Sequence, residues 1–139
     1  MATTRFAAAE WHGTLTEGSG TVSLESSGLG SFDVTWASRA EEPDGRTSPE
    51  ELIAAAHASC FSMALSSGLT KGGTPPTTLN TTVEVDFQPG EGITGIRLHV
   101  SGDVPGLDDE GFRAAAEVAV VNCPVPKALA AVPISLTVA

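Results

Sequence analysis

Thr47-Ser48-Pro49-Glu50-Glu51-Leu52-Ile53-Ala54-Ala55-Ala56-His57-Ala58-Ser59-Cys60-Phe61-Ser62-Met63-Ala64-Leu65 is the stretch on which the reading of this chain turns. It carries an explicit helix start. Ser48 suits the N-cap, where a hydroxyl accepts from an orphan backbone N–H. Pro49 suits the first helical position, where a missing N–H costs nothing. Glu51, three residues after Ser48, completes a capping box, and the acidic pair Glu50–Glu51 favours the positive end of the helix dipole. Beyond Leu52 the helix is small and apolar on almost every side, the pattern of a helix buried all round. Cys60 sits in the middle of it. The same reading ends the helix near Gly68 or Gly72, since glycine is a favoured stop.

Outward from this helix, the flanking segments predict strands. Arg5 to Thr16 contains Phe6, Trp11 and Leu15 with polar residues between them. Thr21–Ser26 and Ser31–Ala37 alternate polar and apolar, the period of half-buried strands. Turns at Glu17–Gly20 and Ser27–Gly30 join them into an antiparallel three-stranded meander. Ser38–Arg46, centred on Pro43-Asp44-Gly45, is expected to be a loop. After the helix, Leu79–Gln88 and Ile93–Gly102 form a hairpin. Val83, Val85 and Phe87 share one face of its first strand, and Ile96, Leu98 and Val100 one face of its second. Asp108 or Asp109 caps a second helix with Phe112, Ala115, Ala116, Ala119 and Val120 as its buried stripe. Cys123-Pro124-Val125-Pro126 breaks that helix. Lys127–Ala130 adds a helical turn and Ile134–Val138 a last strand. The whole predicts one α+β domain over residues 1–139.

Composition bounds the partners. Formal net charge is −10, from 7 Lys+Arg against 17 Asp+Glu, which argues against nucleic acid and anionic membrane. No apolar run is expected to span a bilayer, and the N-terminus lacks the apolar core of a signal peptide, so a cytoplasmic setting is expected. Two cysteines in a reducing compartment do not suggest a permanent disulfide. At positions 60 and 123 they are 63 residues apart (123 − 60) and form no CxxC unit. With His57 one turn before Cys60, two isolated cysteines make a thin zinc site, so neither metal nor cofactor is expected. His57 itself reads as a packed or hydrogen-bonded core residue rather than a base.

The residues Thr47–Ser66, TSPEELIAAAHASCFSMALS, followed by Asn122–Leu129, NCPVPKAL, resemble the OsmC/Ohr family, and its osmotically inducible protein C branch in particular. The resemblance runs over nearly the whole chain in element order and length. It implies an α+β OsmC-like fold, antiparallel strands wrapped around a long buried central helix, and an intertwined homodimer. It implies an organic hydroperoxide reductase in which Cys60 attacks the peroxide and Cys123 resolves the product as a disulfide. An external dithiol, lipoyl-type or another small one, would reset the pair. The motif glutamate matches Glu50. The active-site arginine, expected in the loop before the long helix, is best matched by Arg39, with Arg46 the second candidate. Pro126 departs from the family, which commonly has Ser after Cys-Pro-Val, and bears on how freely Cys123 moves.

The chemistry is consistent with those roles. Peroxide reduction needs a thiolate, whereas burial on an apolar helix favours the thiol. Cys60 is far from the positive end of its helix, so a cation must come from elsewhere. A guanidinium stays charged and donates to both sulfur and oxygen, and Glu50 would fix it through a bidentate pair. Ten residues at about 1.5 Å rise put Glu50 about 15 Å from Cys60 along one helix. Each site is therefore expected to draw on both subunits, Cys60 and Cys123 from one, Arg39 and Glu50 from the other. The competing function class is a non-enzymatic dimeric stress protein with inert cysteines and a pocket for an apolar small ligand.

Overall fold

The computed structural model describes residues 1–139. The chain divides into two compact units, Met1–Glu50 and Glu51–Ala139.

The first unit is the expected meander, with shorter strands than the alternation suggested. β1 (Ala8–His12), β2 (Ser19–Ser23) and β3 (Ser31–Val34) form one antiparallel sheet in that order. Its register pairs Trp11 with Gly20 and Val22 with Phe32. Gly20 is required there, because a Cβ would lie 2.6 Å from the Trp11 ring and 2.9 Å from the Glu10 carbonyl. The alternating run through Ala37 does not continue as strand. Thr35 turns the chain into a short helix, α1 (Trp36–Ala40). The Thr35 hydroxyl accepts from the Ser38 backbone N–H, and the Ser38 hydroxyl accepts from the Thr35 N–H. This local capping box outweighs the two-residue period, so Arg39 lies on a helix and not in a loop.

The second unit holds nearly all of the long helix, α2 (Pro49–Lys71), which starts at the expected proline. Gly68 is tolerated inside it. The stop comes one turn later, where Thr74 N–H donates to the Leu69 carbonyl and Gly73 N–H to that of Thr70. Gly73 has φ +92°, the left-handed residue such a paired C-terminal motif demands. β4 (Thr78–Gln88) and β5 (Gly92–Asp103) form the expected antiparallel hairpin, with a bulge between Asp86 and Phe87. α3 (Asp109–Asn122), capped by the Asp108 carboxylate on Gly111 N–H, leads into α4 (Pro124–Ala128). α4 begins at Pro124, three residues before the expected turn. These helices carry the chain back so that β6 (Ile134–Val138) joins β5 in parallel, Leu98 opposite Leu136.

The core of this unit gathers Phe61, Leu65 and Leu69 from α2, Leu98 and Val100 from β5, and Phe112, Ala116, Ala119 and Cys123 from α3 and its end. Every predicted residue of the α3 stripe faces inward, with Ala115 and Val120 half-buried. The burial of α2 is one-sided rather than complete. His57, Phe61, Leu65 and Leu69 are buried at four-residue spacing, while Ala56, Ser59, Met63 and Ser67 are exposed, Met63 to 72%. One chain of this size cannot cover every face of so apolar a helix. By length and composition alone α2 is also long and apolar enough to cross a membrane, contrary to the expectation that no run would qualify. The reason is that Leu52–Thr70 contains no charged residue, and its Ser, Thr and His breaks lower hydropathy little. Its buried stripe is that of a core helix.

Candidate active site

Two groups of predicted residues are assembled, one in each unit. In the first, three links bring Arg39 and Glu50 together. Val34 bridges to Thr47, Thr47 N–H donates to the Asp33 carbonyl, and the Ser38 hydroxyl donates to the Thr47 carbonyl at 2.9 Å. The start of α2 is thereby fixed against α1. Arg39 Nε then lies 3.0 Å from Glu50 Oε1 and 3.2 Å from Oε2, and Nη2 lies 2.9 Å from Oε1. The Glu50 side chain is 7% exposed and that of Arg39 33%. A charge-assisted contact through two nitrogens fixes direction as well as distance, so the guanidinium is held and its partner carboxylate is compensated. Arg46 is placed elsewhere. It donates to the Asp44 carbonyl on the surface and pairs with its carboxylate at 3.5 Å, beside the Asp44–Gly45 turn in which both residues have positive φ. Of the two candidate arginines, only Arg39 is paired with Glu50.

In the second unit, Cys60 is half-buried and Cys123 fully buried, both as free thiols. Cys60 packs against the core cluster that includes Cys123. Cys123 stands at the junction of α3 and α4. Its N–H still donates to the Ala119 carbonyl, but its ψ of 130° leaves the helix, as a residue before proline must. Burial, together with the Cys60 contact, pushes its thiol up to about 11, partly offset by a hydrogen bond from the Val125 backbone. Pro126, where the family pattern differs, is buried in α4.

His57 was expected to be packed or hydrogen-bonded. It is packed, at 0% exposure, but neither ring nitrogen has a hydrogen-bond partner. Burial lowers its pKa below the usual 6.5. The polar contact of α2 with the sheet is made instead by Ser62, whose hydroxyl lies 2.8 Å from that of Thr81. Neither feature was singled out from the sequence. For His57 the available signal was the four-residue spacing to Phe61 and Leu65, which places it on the inward stripe.

The family model described as OsmC-like protein matches residues 42–137, a span that holds Glu50, Cys60 and Cys123. The chain belongs to the OsmC-like family. It is 43% identical over 126 residues to the peroxiredoxin OsmC of Escherichia coli K12, covering 88% of this chain and 87% of that one. Among solved structures it resembles the organic hydroperoxide resistance protein OsmC of Legionella pneumophila, with a TM-score of 0.72, 26% identity and 99% of each chain covered. The organic hydroperoxide resistance protein OhrB of Bacillus subtilis shares the fold, with a TM-score of 0.69, 24% identity, and 96% of this chain and 98% of that one covered. The OsmC-like fold expected from the sequence is thus the fold of the chain.

Proposed function

We propose that this protein is a thiol-dependent peroxidase that reduces organic hydroperoxides to alcohols. The observation that carries the reading is a pair of free thiols brought into one core, Cys60 packed against the cluster that holds Cys123, in a chain 43% identical to a peroxiredoxin. In the first step the Cys60 thiolate attacks the terminal oxygen of the hydroperoxide. The O–O bond breaks, the alkoxide takes a proton and leaves as alcohol, and Cys60 becomes a sulfenic acid. Cys123 then attacks that sulfur, water leaves, and a disulfide forms that protects Cys60 from further oxidation. A small external dithiol, of lipoyl type or another, restores both thiols. Arg39, oriented by Glu50, is the cation assigned to the Cys60 thiolate and the peroxide oxygens. The distance along one helix argues that these two residues act on the Cys60 of a second copy, and the exposed Ala56–Ser59–Met63–Ser67 face of α2 supports a homodimer. On this reading residues 1–139 work as one functional domain, in the cytoplasm, where a reduced thiol pair is the resting state.

The test is intact-protein mass after one equivalent of cumene hydroperoxide is added to the reduced protein. Rapid loss of two hydrogens is expected. Cys60→Ser should abolish it, and Cys123→Ser should replace it with stepwise oxygen addition. An unchanged mass with both thiols free would overturn the reading and leave a binding protein with inert cysteines.

A further inference from the structure

The charges of this chain bear on which hydroperoxides reach Cys60. The first unit, Met1–Glu50, holds three basic residues against eight acidic ones, and the second, Glu51–Ala139, four against nine, so each carries −5 of the total of −10. Of the 17 Asp and Glu residues, 15 are exposed. The basic residues are largely matched where they stand. Arg39 is paired with Glu50, Arg46 with Asp44, and Arg97 with Asp86 and Glu84. Arg113 on α3 has Asp109 four residues before it and Glu117 four after it, both neighbours on the helix surface. A summed field of this kind reaches beyond single contacts and lowers the local concentration of any ligand of the same sign.

The surroundings of Cys60 supply no counter-charge. Leu52–Thr70, the stretch of α2 on either side of it, contains no charged residue. The cluster it packs against is apolar, with Phe61, Leu65, Leu98, Val100 and Phe112 among its members. The one cation assigned to the chemistry, Arg39, already faces the Glu50 carboxylate, and attack adds the charge of a thiolate. The reacting groups are thus negative in sum before any substrate arrives. A carboxylate brought among them loses its water and gains no partner, the costly way to bury a charge. An uncharged hydroperoxide meets neither penalty. Resting on the peroxidase reading above, we propose that this protein selects uncharged hydroperoxides and excludes those that carry a carboxylate, through the negative field of its own surface.

The experiment uses three hydroperoxides with one body: cumene hydroperoxide, its para-carboxylate and its para-trimethylammonium analogue. Oxidation of Cys60 in the full-length reduced protein is followed by stopped flow, each rate taken relative to that of the same compound with free 2-mercaptoethanol. Ionic strengths of about 0.01 M and about 1 M set the Debye length to about 30 Å and about 3 Å. At low salt the carboxylate should react about tenfold more slowly than cumene hydroperoxide and the ammonium compound about tenfold faster, the lower end of what a protein field does to encounter. At high salt the three should converge to within about threefold, with cumene hydroperoxide itself unchanged. A carboxylate that matches cumene hydroperoxide at low salt, or a gap that salt leaves as it was, would overturn the proposal. So would an ammonium compound slowed as much as the carboxylate, since bulk and not charge would then be what the site excludes.

A variant moves the field without touching the chemistry. Glu91→Lys, Asp103→Lys and Glu117→Lys together reverse three exposed charges and take the formal total from −10 to −4, three reversals of two units each. The triple variant should keep the wild-type rate with cumene hydroperoxide, which also reports that it folds, and narrow the low-salt gap to about threefold. An undiminished gap in a variant of full activity would count against the proposal, and the salt response of the wild type decides without it. Alkylation removes the dependence on peroxide. In the Cys123→Ser protein at low salt, iodoacetate should modify Cys60 about tenfold more slowly than iodoacetamide, again relative to the free thiol. That result with no oxidation by cumene hydroperoxide would keep the field and sink the peroxidase reading. Equal alkylation with normal peroxide reduction would sink the proposal and keep the reading.

Discussion

Arg39 grips Glu50, and Arg97 grips Asp86, each through two guanidinium nitrogens at hydrogen-bonding distance. The first pair has a carboxylate almost out of water. The second lies on the open face of the β4–β5 hairpin, with both partners more than a third exposed and with Glu84 and His99 joined to it. The same chemistry thus has two different meanings. An exposed pair gains little, because water and salt compete for both charges. A pair with a buried member is kept by necessity, since removing either partner strands the other. Arg97 steadies a hairpin whose two strands are already paired along their length save for the bulge at Asp86–Phe87, whereas the Arg39–Glu50 pair fixes a cation in one orientation.

The largest expected effect that would break this contrast is kinetic. Arg39→Met should slow oxidation of Cys60 by cumene hydroperoxide about 10²–10³-fold, the scale of losing an oriented charge at a reacting centre. Arg97→Met and Arg46→Met should stay within about twofold of wild type. Stopped-flow rates that rank Arg46 or Arg97 with Arg39 would erase the distinction. Next in size is stability. Arg39→Met should destabilise the fold by about 3 kcal/mol in urea, at the lower end for a broken buried pair. Glu50→Ala should cost less, because Arg39 still reaches water. The reverse order would mean that the carboxylate is not the stranded partner.

The smallest effect is the pH response of the exposed pair. Hydrogen bonds from Arg97 hold the Asp86 carboxyl below its usual 3.8, and Arg97 with His99 holds Glu84 below 4.5. A depressed carboxylate contributes stability that is present above the unfolded value and lost as pH falls through the folded one. Unfolding midpoints of wild type and Asp86→Asn should therefore differ slightly at pH 6 and converge below pH 3.8. A gap that persists in acid would assign the Asp86 contribution to packing rather than charge.

What could be read from the sequence divides along the range of the forces involved. The start of α2 was legible because Pro49 and the acids after it act within one turn, and the β4–β5 hairpin because its alternation runs for ten residues. The family pattern named Cys60, Cys123, Glu50 and Arg39; in the structure Arg39 is hydrogen-bonded to Glu50, and Cys60 packs against the cluster that holds Cys123. α1 was missed because Ser31–Ala37 satisfies a strand period while Thr35 and Ser38, three apart, satisfy a helix cap; only the hydrogen bonds decide between them. The one-sided burial of α2 was missed because Ala and Ser are equally at home inside and outside. The parallel pairing of β6 depends on where α3 and α4 return the chain, and no local pattern encodes it. The unsatisfied state of His57 is a property of its surroundings and has no signature in the residues beside it.

The separation of the two cysteines along the chain also bears on how the protein is made. Cys60 leaves the ribosome 63 residues (123 − 60) ahead of its partner. At 5–20 residues per second the delay is about 3–13 s. During that interval the nascent thiol has no resolving sulfur and no neighbouring core, since Leu98, Val100 and Phe112 are still being added. A chain still being translated therefore lacks the disulfide protection of Cys60 until Cys123 has been added.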